Sequence, residues 1–163
     1  MKSNHNRIIL GIDPGLLITG FSIIIVCNGK MRLKECGYLP LNSKKEIPQK
    51  IKLFHDFFKE KLEKNTITDI ALETPFLGKN SASFLKLGYL RGILYLFKEE
   101  YDVQLHEFSP RTIKQAVTGF GGAEKEQIFK TLLHIFPELR TISIKKYDIT
   151  DAVAISLCAA WKH

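Results

Sequence analysis

The sequence is poor in the features that mark several large classes of protein. Only three of the 163 residues are cysteine, an odd number without the spacing of a metal-ligand set. A disulfide-built secreted domain is therefore not expected, and free thiols favour a reducing compartment, the cytoplasm. The apolar stretch over 8–26 is interrupted by Asp13, Pro14 and glycines. We therefore expect neither a membrane span nor a signal peptide there.

Negative charge is also under-represented. The chain has 17 acidic and 24 Lys or Arg residues, a formal net charge of +7. Such an excess suits a polyanionic partner, because Lys and Arg displace the counterions that condense on phosphates. The charge alone is weak support, since many basic proteins do not bind nucleic acid. Chain length and an ordinary apolar fraction of 45% predict a single domain over residues 1–163.

The first 40 residues have the signals of β-structure. Residues 8–13, Gly20–Cys27 and Met31–Leu39 are rich in apolar and β-branched residues. Asn28-Gly29 separates the second and third segments, and this dipeptide is the strongest short signal for a tight hairpin. The pattern predicts a meander of three antiparallel strands.

The rest of the chain alternates helical and strand patterns. We predict strands over Asp69–Glu73 and Val103–Phe108. Helices are predicted over Lys44–Asn65 and 80–98, from Pro110, from about Ala123 to Ile135 and from about Asp148. A loop is predicted over Pro137–Tyr147. This order indicates an α/β domain with a mixed sheet.

The helix over 80–98 is apolar around most of its circumference, which predicts burial on more than one side. Gly88 and Gly92 lie one turn apart on it. They indicate either close packing against the sheet or a helix-to-helix contact in a dimer.

Four acidic residues stand at unusual positions. Asp13 and Glu73 each end an apolar strand, and Asp148 and Asp151 share one face at the start of the last helix. Each has a structural explanation: Asp148 and Asp151 could form a capping box, Asp13 could begin the Asp-Pro-Gly turn, and Glu73 could be a solvated strand end. Together they indicate a cluster of carboxylates that repel one another unless a cation is bound.

Carboxylates without accompanying histidine or cysteine favour Mg²⁺ or Mn²⁺ as the cation. Two such ions roughly 4 Å apart can stabilise the attacking water and the leaving oxygen of phosphodiester hydrolysis. The acids therefore point to a metal-dependent nuclease.

Five motifs in order resemble those of the RuvC family of Holliday-junction resolvases. They are Gly11-Ile-Asp-Pro-Gly15 with Thr19-Gly20, Ile70-Ala-Leu-Glu73 with Phe76 and Lys79-Asn80, Leu87-Gly88-x-x-Arg91-Gly92, Ser109-Pro-Arg-Thr-Ile-Lys114 with Gly119-x-Gly-x-Ala-Glu-Lys125, and Asp148-x-x-Asp151-Ala152. The resemblance covers nearly the whole chain. It implies an RNase H-like α/β fold, with a five-stranded mixed sheet (three antiparallel strands, then two parallel) flanked by helices.

The resemblance also implies the roles of individual residues. The metal ligands would be Asp13, Glu73, Asp148 and Asp151, which with Lys125 form the catalytic set. DNA contacts would come from Phe76, Lys79, Arg91, Arg111, Lys114 and Lys125. Phe76 would stack on bases at the opened junction, its alternative being a core position beside Pro75.

The implied activity is that of an endonuclease that resolves four-way DNA junctions in recombination and repair by paired, symmetric cuts. The implied cofactor is a pair of Mg²⁺ ions per subunit, with Mn²⁺ able to substitute. The implied partners are the junction, a second copy of the chain in a homodimer, and a branch-migration motor of the RuvA and RuvB type.

Three other interpretations remain open on the sequence. A Gly-Ile-Asp-x-Gly turn also begins the actin-like ATPases and sugar kinases, but those enzymes need two such domains. A junction-binding protein without turnover would not need four acids. A nuclease of the same fold that acts on another branched substrate or on RNA–DNA hybrids would share the metal site, and only Phe76, Lys114 and Lys125 separate it.

Overall fold

The computed structural model describes residues 6–75, 80–141 and 147–162. Its centre is a five-stranded sheet in the order β3-β2-β1-β4-β5. The strands are β1 (Arg7–Asp13), β2 (Ile18–Cys27), β3 (Lys30–Pro40), β4 (Asp69–Glu73) and β5 (Gln104–Phe108). The first three pair antiparallel, and β4 and β5 add in parallel. The predicted mixed sheet is confirmed.

The hairpin between β2 and β3 turns at Asn28 and Gly29, as predicted. Both residues have positive φ, 51° and 74°. This left-handed backbone matches the twist of the flanking strands and suits asparagine and glycine. The turn lies at the end of the sheet opposite to Asp13, which pairs with Gly20 at the start of β2.

The helices are α1 (Ile47–Asn65), α2 (Ser81–Glu100), α3 (Pro110–Thr118), α4 (Lys125–Ile135) and α5 (Tyr147–Trp161). The predicted α1 began three residues too early, at Lys44. Glu46 and Gln49 form a capping box that fixes the start, with Pro48 in the first turn. Residues Pro137–Thr141, predicted as loop, form a short 3-10 helix.

The helices cover both faces of the sheet, following the alternation of strand side chains. On one face Ile9 and Ala71 pack with α3, α4 and α5, including the buried Val153 and Leu157. On the other face strand residues pack against α1 and α2 through a second cluster that includes Leu10, Ile12, Ile70, Leu72, Phe54, Phe58, Leu90, Leu94 and Phe97. No helix in the described ranges is long and apolar enough to cross a bilayer.

Within a single chain, α2 is buried on one side only, and not on more than one side as predicted. Only Leu90, Arg91, Leu94 and Phe97 are buried on it. Its outer face exposes a row of apolar side chains, namely Leu85, Tyr89, Tyr95 and Leu96. Gly88 and Gly92 do not pack against the sheet either: within the described chain, and apart from the adjoining residues and backbone of α2 itself, no atom lies within 4 Å of a methyl group built on either residue.

Two glycines let α5 approach the sheet closely. A methyl group on Gly11 would lie 2.5 Å from the carbonyl oxygen of Ala152, and one on Gly20 would lie 2.0 Å from that of Asp148. The buried Ser22 hydroxyl donates to the Ala152 carbonyl oxygen at 2.9 Å. Close approach at these strand positions therefore fixes where α5 begins.

We expect Gly20→Ala to destabilise the protein, because the added methyl group must push the first turn of α5 away from β2. Overpacking of this kind costs about 1–3 kcal/mol, which should lower the midpoint of thermal unfolding by several degrees. Gly92→Ala is the matched control, since its methyl group meets open space within the described chain. Equal melting temperatures for Gly20→Ala and the wild type would contradict the packing described here.

Candidate active site

Two of the predicted acids end neighbouring parallel strands. Ile12 on β1 pairs with Leu72 on β4, so Asp13 and Glu73 follow side by side at the same edge of the sheet. Ala71 faces the α5 layer, and side chains two residues apart on a strand share a face. The alternation therefore directs Asp13 and Glu73 toward α5.

The other two acids come from α5. Asp148 is the second residue of this helix, which begins at Tyr147, so the capping-box interpretation, with Asp148 preceding the helix, does not hold. Its backbone lies against Gly20, the residue paired with Asp13. Asp151 follows one turn later and lines the same cleft of about 240 Å³ as Asp13 and Glu73. The structure thus brings acids from three chain segments together.

Burial and mutual repulsion both raise the pKa values of acids in this cluster. Burial raises the pKa of Asp13 from 3.8 to about 7, helped by the negative charges of Asp151, Glu73 and Asp148. Burial and the charge of Asp151 also raise the pKa of Glu73, while Lys125, Lys114 and Arg91 oppose that rise. The site therefore holds more negative charge than it can stabilise on its own.

Two lysines stand at the same cleft. Lys125, the first residue of α4, donates a hydrogen bond to Asp151 Oδ2 at 2.8 Å, and its Nζ lies 5.5 Å from the Tyr147 ring centroid. The bond to Asp151 raises the pKa of Lys125, which keeps it charged. Lys114 on α3 lines the cleft beside it. Both sequence-predicted lysines are therefore next to the acids.

The acids do not form a finished metal cage. Among the described residues, no group of three or more His, Cys, Asp or Glu side chains is arranged to hold an ion. Asp148 instead lines a neighbouring groove with Gly15, Ile18 and Lys50. The donor set nevertheless fits a hard divalent cation, because it consists of carboxylate oxygens, and burial together with their charges raises the pKa values of Asp13 and Glu73.

The other residues predicted to contact DNA differ in their exposure and in whether the structure describes them. Arg111 is exposed on α3, next to Gly121 in the following loop. Phe76 and Lys79 lie outside the described residues. Arg91 differs from the prediction: it is only 7% exposed, and its guanidinium bonds to protein groups rather than facing solvent.

Sequence reasoning missed the partners of Arg91. Its Nη1 donates to the Glu73 carbonyl oxygen at 2.8 Å, and its Nη2 pairs with Glu107 on β5. The Tyr95 hydroxyl donates to the same Glu107 oxygen at 2.8 Å. The one available signal was Glu107, an acid in a short strand directly before Phe108. Its pairing with Arg91 cannot be predicted without knowing that α2 lies beside β5.

Comparisons with known proteins show which family the sequence matches. Residues 9–159 match the family model described as crossover junction endodeoxyribonuclease RuvC. A protein of that name from Prosthecochloris aestuarii is 38% identical over 93% of this chain and 80% of its own length. Another from Christiangramia forsetii is 39% identical over 93% of this chain and 78% of its own length.

The fold agrees as well. The solved structure of T. thermophilus RuvC in complex with a Holliday junction substrate superposes with a TM-score of 0.85 at 24% identity, covering 94% of this chain and 93% of that one. Its likeness identifies the fold as RNase H-like. Together with the sequence matches, it shows that this chain belongs to the RuvC family of crossover junction endodeoxyribonucleases.

Proposed function

We propose that this chain, as one nuclease domain over residues 1–163, hydrolyses phosphodiester bonds at four-way DNA junctions in recombination and repair. The observation that carries the proposal is the convergence of Asp13, Glu73 and Asp151 with Lys114 and Lys125 on one cleft. Acids could hold cations and lysines could hold phosphate there, which is the pairing that phosphodiester hydrolysis requires.

The proposed metal ligands are Asp13, Glu73, Asp148 and Asp151. Bound there, divalent cations would supply a nucleophile at neutral pH and stabilise the leaving oxygen. We propose two Mg²⁺ ions per subunit, replaceable by Mn²⁺, because all four donors are hard carboxylates. Rigid strand ends and a closely packed helix support these side chains, which keeps their separations fixed.

The chain's own cations would act on the scissile phosphate. Lys114 and Lys125 extend from two different helices into the cleft that the acids line. Their charges would bind the phosphate and stabilise the negative charge that develops on it during hydrolysis. Lys125 now donates to Asp151, and the other N–H donors of its ammonium group would be available to a phosphate oxygen.

A homodimer would suit this activity. The junction and an isologous dimer share two-fold symmetry, so two copies could cut two strands of like polarity at symmetric positions. The exposed row Leu85, Tyr89 and Leu96 on α2, with Gly88 and Gly92 beside it, is an apolar surface on which a second copy could pack. We propose this face of α2 as the dimer interface.

Gly88→Arg tests the dimer interface. The side chain would project from a position with open space in the described chain, so each subunit should fold while the second copy is repelled. We expect a monomer by size-exclusion chromatography with light scattering, and loss of paired cutting. Gly88→Ala is the control and should remain dimeric. A fully active Gly88→Arg dimer would refute this interface.

We further propose that the junction reaches the enzyme in the cytoplasm, with a branch-migration motor of the RuvA and RuvB type as a further partner. The support is the family relationship and three cysteines that are free in the described structure. An enzyme of the same fold that acts on RNA–DNA hybrids is the competing proposal, since its acids could be arranged in the same way.

A substrate panel tests the proposed function against that competitor. Purified protein with Mg²⁺ would be incubated with a four-way junction, a flap, a linear duplex and an RNA–DNA hybrid of matched sequence. We expect cleavage of the junction at rates well above those of the other three substrates. Preferential cutting of the hybrid would overturn the proposal.

A further inference from the structure

Arg91 lies on α2, which packs against the sheet face opposite to α5, and it lines a cavity of about 420 Å³ together with Asp13 and Glu73. It is on the buried face of α2, at the end of β4 where Glu73 projects its carboxylate toward α5. Burying a guanidinium costs free energy unless its donors are paired. The partners of Arg91 therefore indicate what the residue does.

The pairing of Arg91 joins three elements at one point. Nη1 donates to the carbonyl oxygen of Glu73, the last residue of β4, at 2.8 Å. Nη2 is ion-paired with Glu107 on β5, whose carboxylate also accepts from Tyr95 on α2 at 2.8 Å. The planar guanidinium can bridge two acceptors in fixed directions, which a lysine ammonium does not reproduce.

The bond to Glu73 holds the backbone from which the carboxylate extends. Because the side chain and the bonded carbonyl of Glu73 belong to one residue, a shift of that backbone moves the carboxylate with it. Thr74, the residue after Glu73, is held by β5, because its backbone N–H donates to the Phe108 carbonyl oxygen at 2.8 Å. The end of β4 is thus held by β5 and by α2 at the same place.

We infer that Arg91, braced by Glu107 and Tyr95, is a positioning residue that holds Glu73 in place to bind metal, and is not a contact to DNA. The inference rests on the proposed function, because it concerns the proposed ligand role of Glu73. Partners that orient a metal ligand typically contribute 10- to 100-fold to metal affinity or activity. Arg91 bonds to the backbone of the ligand residue at its carbonyl oxygen.

A phosphate contact by Arg91 would give a different result in solution. Each Lys or Arg that neutralises a phosphate contributes about one to the slope of log affinity against log salt concentration. A positioning residue contributes nothing to that slope. The two roles are therefore separated by binding measurements that do not depend on catalysis.

The test uses Arg91→Lys and Glu107→Gln in the full chain. Arg91→Lys keeps the charge but loses the bridging geometry, and Glu107→Gln keeps an acceptor but loses the charge, so both should fold. We expect the Mn²⁺ dissociation constant, measured by calorimetry without DNA, to rise about 10-fold in Arg91→Lys. Cleavage should fall by about 10- to 100-fold at low Mn²⁺ and recover partly at saturating Mn²⁺.

Junction binding would be measured in the Asp13→Asn background, so that no cutting occurs. We expect Arg91→Ala to leave the salt slope unchanged, whereas Lys114→Gln should lower it by about one. Arg91→Ala leaves Glu107 without its ion partner, which could itself disturb the fold. Glu107→Gln avoids an unpaired carboxylate and therefore provides a second measurement of Mn²⁺ affinity. It should weaken Mn²⁺ binding in the same direction, and its effect should be less than additive with Arg91→Lys.

Unchanged Mn²⁺ affinity in both Arg91→Lys and Glu107→Gln would overturn the inference while leaving the proposed function intact. A salt slope reduced by about one in Arg91→Ala would do the same, since it would place Arg91 on a phosphate. Failure of the wild type to cut the junction in the same assay would remove the proposed function and this inference with it.

Discussion

Asp13→Asn should abolish junction cleavage while the protein still binds the junction. Asparagine keeps the size of the side chain but removes the charge that the proposed metal site needs from the end of β1. We expect the cleavage rate to fall by at least about 100-fold, the loss seen when one electrostatic stabiliser of a transition state is removed. Binding by gel shift should stay within a few-fold, because the lysines and Arg111 are untouched.

The same substitution should stabilise the metal-free fold at neutral pH. The pKa of Asp13 is about 7 when folded against 3.8 as its ordinary value, so the folded state holds this proton more tightly than the unfolded state. Stability is then lost as pH rises from about 4 to 7, where the folded site must carry the charge. Asp13→Asn should regain on the order of 2 kcal/mol at about pH 8 and almost nothing near pH 4.

Thermal unfolding in a chelator at those two pH values measures this effect. The matched control is Asp56→Asn, an exposed carboxylate on α1 that pairs with Lys52 and His55, whose hydrogen bonds lower its pKa. That variant should not gain stability at the higher pH. An Asp13→Asn protein that is less stable than the wild type at about pH 8 without metal would contradict the repulsion described for the site.

Lys125→Gln should weaken cleavage and strengthen metal binding. The ammonium lies 2.8 Å from Asp151, so its positive charge opposes the binding of a divalent cation at the same carboxylates. Without it, the Mn²⁺ dissociation constant should fall a few-fold. The cleavage rate at saturating metal should still drop by about 100-fold, because the developing charge loses a stabilising cation.

Lys130→Gln is the control for this experiment. Lys130 lies on the same helix, is exposed and pairs with Glu126 at 3.0 Å, so the substitution removes an equal charge away from the cleft. It should change neither metal affinity nor the cleavage rate at saturating junction. Weaker Mn²⁺ binding by Lys125→Gln would mean that Lys125 supports the metal site rather than competing with it.

Much of the fold follows from local sequence signals. Asn28-Gly29 specifies the hairpin because few residues tolerate its left-handed backbone, and alternating apolar residues specify which strand face is buried. Asp13 and Glu73 could be predicted to meet because both end apolar strands. Their closeness to Asp151 also depends on Gly11 and Gly20, whose lack of side chains lets α5 approach.

Two features could not be predicted, because they depend on how elements are placed in space. The apolar circumference of α2 suggested burial on several sides, yet Leu85, Tyr89 and Leu96 are exposed in the single chain. A sequence does not distinguish a core face from a face that another copy could cover. Likewise, Arg91 reads as a basic residue in a DNA-binding motif until β5 brings Glu107 beside it.

We propose that these acids bind the metal ions with which the protein cuts a four-way junction. The most direct measurement is to map nicks on a synthetic junction, with each of its four strands end-labelled in turn, using the wild type and Asp13→Asn with Mg²⁺. We expect nicks at symmetric positions on two strands of like polarity for the wild type, and none for the variant. Junction binding without nicks by the wild type in both Mg²⁺ and Mn²⁺ would contradict it.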